Sequence, residues 1–432
     1  MSVVPEEIAS ARAATHVRGG GVPPKGLDGF LARRFREQMS ARLAGLEGGE
    51  LLVRDPWGGF RLGASGAGLR ATLRVRDPAF YKAVALGGSL GAARAWRDGL
   101  WEADDLTAVF RILVRNADLI DGMDSGLARV AAALDRAWHK ARANTRAGSA
   151  ENIGAHYDLG NDFFGLWLDP TMTYSAGIFE GPHEDMELAS ITKLARICSK
   201  LDLGPDDHVV EIGTGWGSFA IHAAGTYGCR VTTTTISKEQ KALAEERIAA
   251  AGLSDRIQVL LRDYRDMEGQ YDALVSIEMI EAVGHEFLPG YFQTLSRLLK
   301  PTGRACIQAI TMPDQRYPLY LKSTDFIQRF IFPGSCVPSF GAIQSAVGTS
   351  DLKTVHVEDI GPHYATTLRL WRERFAQVRD QVWELGYDAG FIRLWDYYLS
   401  YCEAGFEERY LGDLQLVLHK PGRREEPLLG DL

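Results

Sequence analysis

No run of about 18 apolar residues, the length that crosses a bilayer, occurs anywhere in the chain. The first residues, MSVVPEEIASARAATHVRGGG, lack the basic start and continuous apolar core of a secretory signal. A cytoplasmic protein, neither spanning nor exported, is therefore expected. Cysteine is scarce, five in 432 residues. Cys198, Cys229, Cys306, Cys336 and Cys402 are odd in number, widely spaced and form no CxxC pair, which excludes a disulfide scaffold and offers no thiolate metal site. A basic excess is missing too: 48 Lys and Arg against 56 Asp and Glu leave a formal charge of -8, which argues against nucleic acid as a partner. There is no internal repeat and no long low-complexity tract. What is present, 46% hydrophobic and 24% charged residues, is globular, and the length predicts two to three domains.

Glycine and proline in RGGGVPPKG make residues 1–25 a flexible leader. Residues 26–121 mix helical stretches (FLARRFREQMSARL, AFYKAVALGGSLGAARAWRDGLWEADDLTAVFRIL) with short alternating segments and predict a small α+β domain. Residues 122–150 carry Arg136, His139, Lys140, Arg142 and Arg146 against Asp135, a basic helical linker that is either a solvated face or a draw toward an anionic membrane. Residues 151–432 form the remaining domain. From Gly204 onward, strand-like runs (HVVEIG, CRVTTTTI, RIQVLLRD, YDALVSIEMI, RACIQAIT) alternate with helical ones, which predicts an α/β fold with a mainly parallel sheet covered by helices. Aromatic-rich helices follow in the last third.

The sharpest motif is Glu211-Ile212-Gly213-Thr214-Gly215-Trp216-Gly217, an apolar strand entering three alternate glycines and then a helix. Such a turn lets backbone approach a ligand, and the helix N-terminus favours negative groups. The spacing is GxGxG, neither the dinucleotide fingerprint nor a Walker loop. The next strand ends at Thr235 with Gln240 beyond it, and a third ends at Asp263 and Tyr264, placed to meet an adenine amino group and to stack on its ring. Three successive strand ends describe one adenosyl pocket.

EIGTGWGSFA, TTISKEQ, RDYRDM and LLKPTGR together resemble the class I (Rossmann-like) S-adenosylmethionine methyltransferase pattern. Residues 151–180, ENIGAHYDLGNDFFGLWLDPTMTYSAGIFE, with SIEMIEAVGHE, DFIQRFIFPGSCVPS, HYATTLRLWRERF and YYLSYCEAGFEERYLGDLQLVL, further resemble the cyclopropane-fatty-acyl-phospholipid synthases and mycolic acid methyltransferases. The resemblance implies methyl transfer from S-adenosylmethionine to an alkene carbon of unsaturated acyl chains of membrane phospholipids. A cyclopropane follows when a base removes a proton from the new methyl; a methyl- or methylene-branched chain is the alternative. It also implies peripheral attachment to the inner face of the membrane, and a homodimer is left open.

By the same resemblance, Tyr174 and Ser175 belong to the donor site with Gly213, Gly215, Thr235, Gln240 and Tyr264. A bicarbonate ion serves as base in this family. Its seat corresponds here to Ala176, Glu281, Gln308, Ile310 and Tyr364, with alanine where the family has cysteine and glutamine where it has histidine, so weaker anion affinity, or Glu281 as the base, is expected. Aromatic residues, among them Phe163, Phe164, Trp167, Phe332, Tyr364 and Tyr398, are candidates to line an apolar tunnel. Trp96, Leu100 and Trp101 with Arg94 and Arg97 read either as an interfacial patch or as core; on the first reading, removing residues 1–121 spares donor binding and weakens activity on vesicles. Two further readings are an acyl-chain-sensing protein without catalysis and methylation of a small soluble acceptor.

Overall fold

The computed structural model describes residues 27–66, 68–121, 159–181 and 185–424. The expected leader, the basic linker and the first residues of the 151–180 match lie outside the described residues.

Two sheets organise the described residues. The first contains β1 (Glu50–Asp55), β2 (Gly58–Gly63), β3 (Arg70–Val75) and β4 (Trp101–Ala103) in the order β2-β1-β3-β4. The second contains β5 (His208–Ile212), β6 (Arg230–Thr235), β7 (Ile257–Leu261), β8 (Tyr271–Ile277), β9 (Leu299–Thr311), β10 (Lys353–Asp359) and β11 (Gly412–His419) in the order β10-β11-β9-β8-β5-β6-β7. Strands β5 to β9 pair in parallel, and β11 and β10 are added antiparallel. The helices of ten or more residues are α1 (Leu27–Arg42), α2 (Ala79–Arg97), α3 (Leu106–Arg115), α4 (Met186–Lys200), α5 (Ser218–Tyr227), α6 (Lys238–Ala250), α7 (Leu288–Leu298), α8 (Gly361–Gln377) and α9 (Ala389–Glu407).

The five strands read from the sequence are all present. Strands β5 and β8 are apolar on both faces, as a parallel sheet between helices requires. Strands β10 and β11 escaped the reading; KTVHVED is an edge strand with only half-buried alternate residues, so its apolar signal is weak. The chain leaves β5 toward β6 on one side and reaches β8 on the other, so the carboxyl ends of β5, β6 and β8 open a crevice at the point where strand order reverses.

The N-terminal unit is not a separate lobe with its own core. One apolar cluster runs from Val53 and Ile112 through Trp96 and Trp101 to Tyr397 and Phe406 of α9. Trp96 and Trp101 pack edge to face at 4.9 Å, and the Trp96 indole N–H donates to the Arg393 carbonyl at 2.7 Å. The Arg393 guanidinium lies over the Trp96 ring at 4.5 Å and donates to the Trp101 carbonyl at 2.7 Å. The tryptophans are therefore core and the interfacial-patch reading of AARAWRDGLW is corrected: their rings are spent on α9. Helix α2 is also broken at Gly88 (φ 54°, ψ −135°), a left-handed turn that suits glycine.

Candidate active site

The crevice deepens into a cavity of about 900 Å³. One wall is the turn after β5. Gly213 and Gly215 have φ of 97° and 52°, and nothing lies within 4 Å of where a Gly215 side chain would stand, so that position is open to the cavity. Gly217 lines no part of it. It caps α5 in the left-handed region (φ 88°), with Ala244 3.4 Å from where its Cβ would be, so its role is the turn and the packing of α5 on α6.

Tyr174, Ser175, Glu211, Thr235, Gln240 and Tyr264 all reach the cavity as expected. Thr235 Oγ1 donates to Gln240 Oε1 at 2.9 Å, which fixes the amide. Tyr174 and Tyr398 share a hydroxyl hydrogen bond of 2.9 Å. Asp263 also reaches the wall, but its carboxylate is held by the Arg265 guanidinium through Nε at 2.8 Å and Nη2 at 2.6 Å. Arg265 thus orients the acid expected to meet adenine.

Glu211 is buried, and among the described residues its Oε2 has no hydrogen-bond partner. Burial pushes its carboxyl up to about 8, against the pull of Thr233 and Lys193. An unpartnered buried acceptor at the mouth of a glycine turn fits a cationic ligand, as S-adenosylmethionine is.

Deeper in the cavity lies a cluster of carboxyls. Glu278, at the end of β8, receives three hydrogen bonds: the Tyr364 hydroxyl to Oε2 at 2.7 Å, the Ala176 backbone N–H to Oε1 at 3.0 Å, and Gln308 Nε2 to Oε1 at 2.8 Å. Gln308 Nε2 also donates to Asp413 Oδ2 at 2.9 Å, while its oxygen accepts from Gln415 at 3.1 Å. Glu281 Oε1 accepts from the Ile310 N–H at 2.6 Å, and its Oε2 has no partner among the described residues.

Burial raises all three acids, to different degrees. Asp413 is pushed well above the carboxylate range by burial and by its Glu278 and Glu281 neighbours. Glu281 is pushed up to about 8 by burial and by Glu278. Glu278 is raised by burial but pulled back by Tyr364, Ala176, Lys193 and Gln308, the largest set of groups in the cluster that favours an ionised carboxylate. Lys193 supplies the cation: fully buried, it donates to Ser175 Oγ at 2.8 Å, and burial lowers its ammonium against the opposing pull of Glu278, Asp413, Asp169 and Glu211.

The five positions expected to seat bicarbonate do converge. Ile310, Glu281 and Tyr364 face the cavity, but Ala176 and Gln308 stand behind its wall, and the donors of Ala176, Gln308 and Tyr364 are spent on Glu278. With those donors spent, the residues present do not fit a free bicarbonate, whose binding the sequence left open. Sequence reading missed Glu278, Asp413, Lys193 and Arg265. Lys193 left a signal, a lysine on the buried stripe of α4 with Ala189 and Ile197.

Of the expected tunnel aromatics, Phe332, Tyr364 and Tyr398 line the cavity; Phe163, Phe164 and Trp167 are fully buried core. The cavity takes further wall from Gly87 to Leu90 and Val114 of the N-terminal unit. It also reaches Leu319 beside the exposed Leu321 and Lys322.

Residues 144–416 match the family described as mycolic acid cyclopropane synthetase. Over 356 residues the chain is 39% identical to the tuberculostearic acid methyltransferase UfaA1 of Mycobacterium tuberculosis, covering 80% of this chain and 82% of that one. Over the same length it is 36% identical to the cyclopropane-fatty-acyl-phospholipid synthase of Escherichia coli, covering 80% and 86%. Among solved structures it is similar to the mycolic acid cyclopropane synthase CmaA1 complexed with SAH and CTAB, at 30% identity and a TM-score of 0.59, covering 63% of this chain and 98% of that one.

Proposed function

Because the chain belongs to the mycolic acid cyclopropane synthetase family, and so to the S-adenosylmethionine-dependent enzymes that transfer methyl or methylene groups to lipid acyl chains, we propose that it methylates the double bond of unsaturated acyl chains in membrane phospholipids. The observation that carries this reading is that one cavity is lined by the glycine turn, by the carboxyls Glu278 and Glu281 and by Leu90, Val114, Phe332 and Tyr398. A small soluble acceptor needs no such apolar wall.

When bound, S-adenosylmethionine supplies an electrophilic methyl on a sulfonium. The residues that would hold it are the Gly213–Gly215 turn, Glu211, Thr235 with Gln240, Asp263 and Tyr264. The buried carboxyls stabilise positive charge developing on the acyl chain, an effect strengthened where water is excluded. Leu319 and Leu321, half or nearly half exposed beside Lys322, suit contact with an anionic lipid surface. On this reading the protein works as a peripheral enzyme on the cytoplasmic face of the membrane.

The reading is tested by incubating the protein with S-adenosylmethionine and vesicles of unsaturated phospholipid, then resolving the fatty-acid methyl esters by mass spectrometry and NMR. Ring-proton signals are expected. Exocyclic alkene signals would assign the chain to the methylene-branching outcome, which the identity to the tuberculostearic acid enzyme favours as a second reading. No modified chain, with donor binding intact, would defeat the substrate assignment.

Donor binding has its own pH signature. A cationic ligand stabilises ionised Glu211, so binding lowers its pKa from about 8 and releases a proton. Below that point protons compete with the ligand. Affinity for S-adenosylmethionine is expected to rise with pH and level off above about 8, more steeply than for S-adenosylhomocysteine, which lacks the sulfonium charge. Calorimetry showing a flat pH dependence for both would remove Glu211 from the donor site.

A further inference from the structure

We propose that Glu278 is the proton acceptor of the reaction, a carboxylate built into the chain that takes the seat a free bicarbonate would otherwise fill. The inference rests on the acyl-chain reading above and deepens it. Its basis is a substitution of occupant: three of the donors on which an anion could be seated, the Tyr364 hydroxyl, the Ala176 N–H and the Gln308 amide, close on Glu278 within 2.7 to 3.0 Å, while the Ile310 N–H goes to Glu281.

Two further observations point the same way. Glu278 has φ of 48°, a left-handed conformation that strains a non-glycine residue and concentrates at functional sites. It is also only half-buried, with the cavity as its opening, whereas Asp413 does not reach the cavity wall. Glu281 reaches the wall, but among the described residues its carboxyl is supported by backbone N–H groups alone, those of Ile310 and of Glu281 itself, and its Oε2 has no partner.

The step balances without a co-reactant. After methyl transfer, one former alkene carbon bears the methyl and its neighbour is a cation. A C–H bond of that methyl breaks, its proton forms an O–H bond with the Glu278 carboxylate, and its electron pair closes the third ring bond onto the cationic carbon. In the branching outcome, hydride first migrates from the methyl-bearing carbon to its neighbour, and the same electron pair then forms an exocyclic double bond. The base and the proton are the same in both.

The test compares the parent protein with Glu278→Gln and Glu278→Gly in carbon-dioxide-free buffer, with and without added bicarbonate, on unsaturated phospholipid vesicles. Parent turnover should be indifferent to bicarbonate. Glu278→Gln keeps the shape but cannot accept a proton and should lose at least about 100-fold, the scale of a lost acid–base group, with no rescue. Glu278→Gly suits the left-handed backbone and frees the three donors. It should lose as much, recover at least about tenfold with bicarbonate, and bind 13C-labelled bicarbonate by NMR, which the parent does not.

S-adenosylhomocysteine binding by both variants confirms that they are folded. A parent that requires bicarbonate, a Glu278→Gln variant near the parent rate, or a folded Glu278→Gly variant that neither binds the ion nor is rescued would each overturn the assignment. A parent that methylates no unsaturated phospholipid overturns the acyl-chain reading itself, and that result appears before any variant is compared.

Discussion

Lys193→Met is expected to destabilise the protein by about 3 kcal/mol or more, the usual cost of leaving buried charge without its partner. Lys193 is the cation set against Glu278, Asp413, Asp169 and Glu211, and it is fully buried. Without it, the folded-state pKa of Glu211, already about 8, rises further. A carboxyl whose folded pKa lies above its unfolded value favours the folded state at low pH, and that contribution is lost as pH rises toward the folded pKa. The loss in the variant should therefore be small in acid, where the carboxyls are neutral, and grow as pH is raised through about 8. Thermal melts of parent and variant on both sides of that value measure it. Equal melting temperatures at both would mean that Lys193 is uncharged in the folded protein and balances nothing.

Removing residues 1–121 should give an aggregating chain, not a free-standing catalytic domain. The cut strips α2 and α3 from α9 and uncovers Tyr397, where Trp96, Trp101 and Phe110 now pack. It also leaves Glu403, buried, without its Thr107 partner, and Glu408 without Arg111 and Arg115. A milder cut reports on the same surface: Trp96→Ala should cost about 3–5 kcal/mol, as large-to-small changes in a packed core do. Size-exclusion chromatography with S-adenosylhomocysteine titration decides the first case and urea denaturation the second. A monodisperse truncated chain with parent affinity would show that the shared core is dispensable, restoring the expectation drawn from the sequence.

The convergence of the glycine turn and the polar strand ends on one cavity was legible because its information is local. A strand, three alternate glycines and a helix are contiguous, and the polar residues at the next strand ends follow from the alternation of strand and helix. The base was not legible for the opposite reason. Glu278 stands in the quoted SIEMIEAVGHE, three residues before Glu281, but what distinguishes the two is supplied by Gln308, Tyr364 and Asp413, which the sheet and α8 bring in from 30 to 135 residues away. A resemblance aligned residue by residue says which positions meet and is silent on which atom they close upon. Trp96 and Trp101 were left between two readings for the same reason: aromatic and basic residues alternate alike at a membrane surface and in a core, and only α9, nearly 300 residues later, decides for the core.

The break in α2 at Gly88 places Gly87 to Leu90 on the same cavity as the glycine turn and the carboxyls. Part of the cavity's boundary is thus drawn from outside the segment that carries the reaction. Selection, or an engineer, can recontour that boundary at Ser89, Leu90 or Val114 while the reacting groups on the large sheet stay fixed. The contour of the cavity and its reacting groups are thus carried on different stretches of this chain.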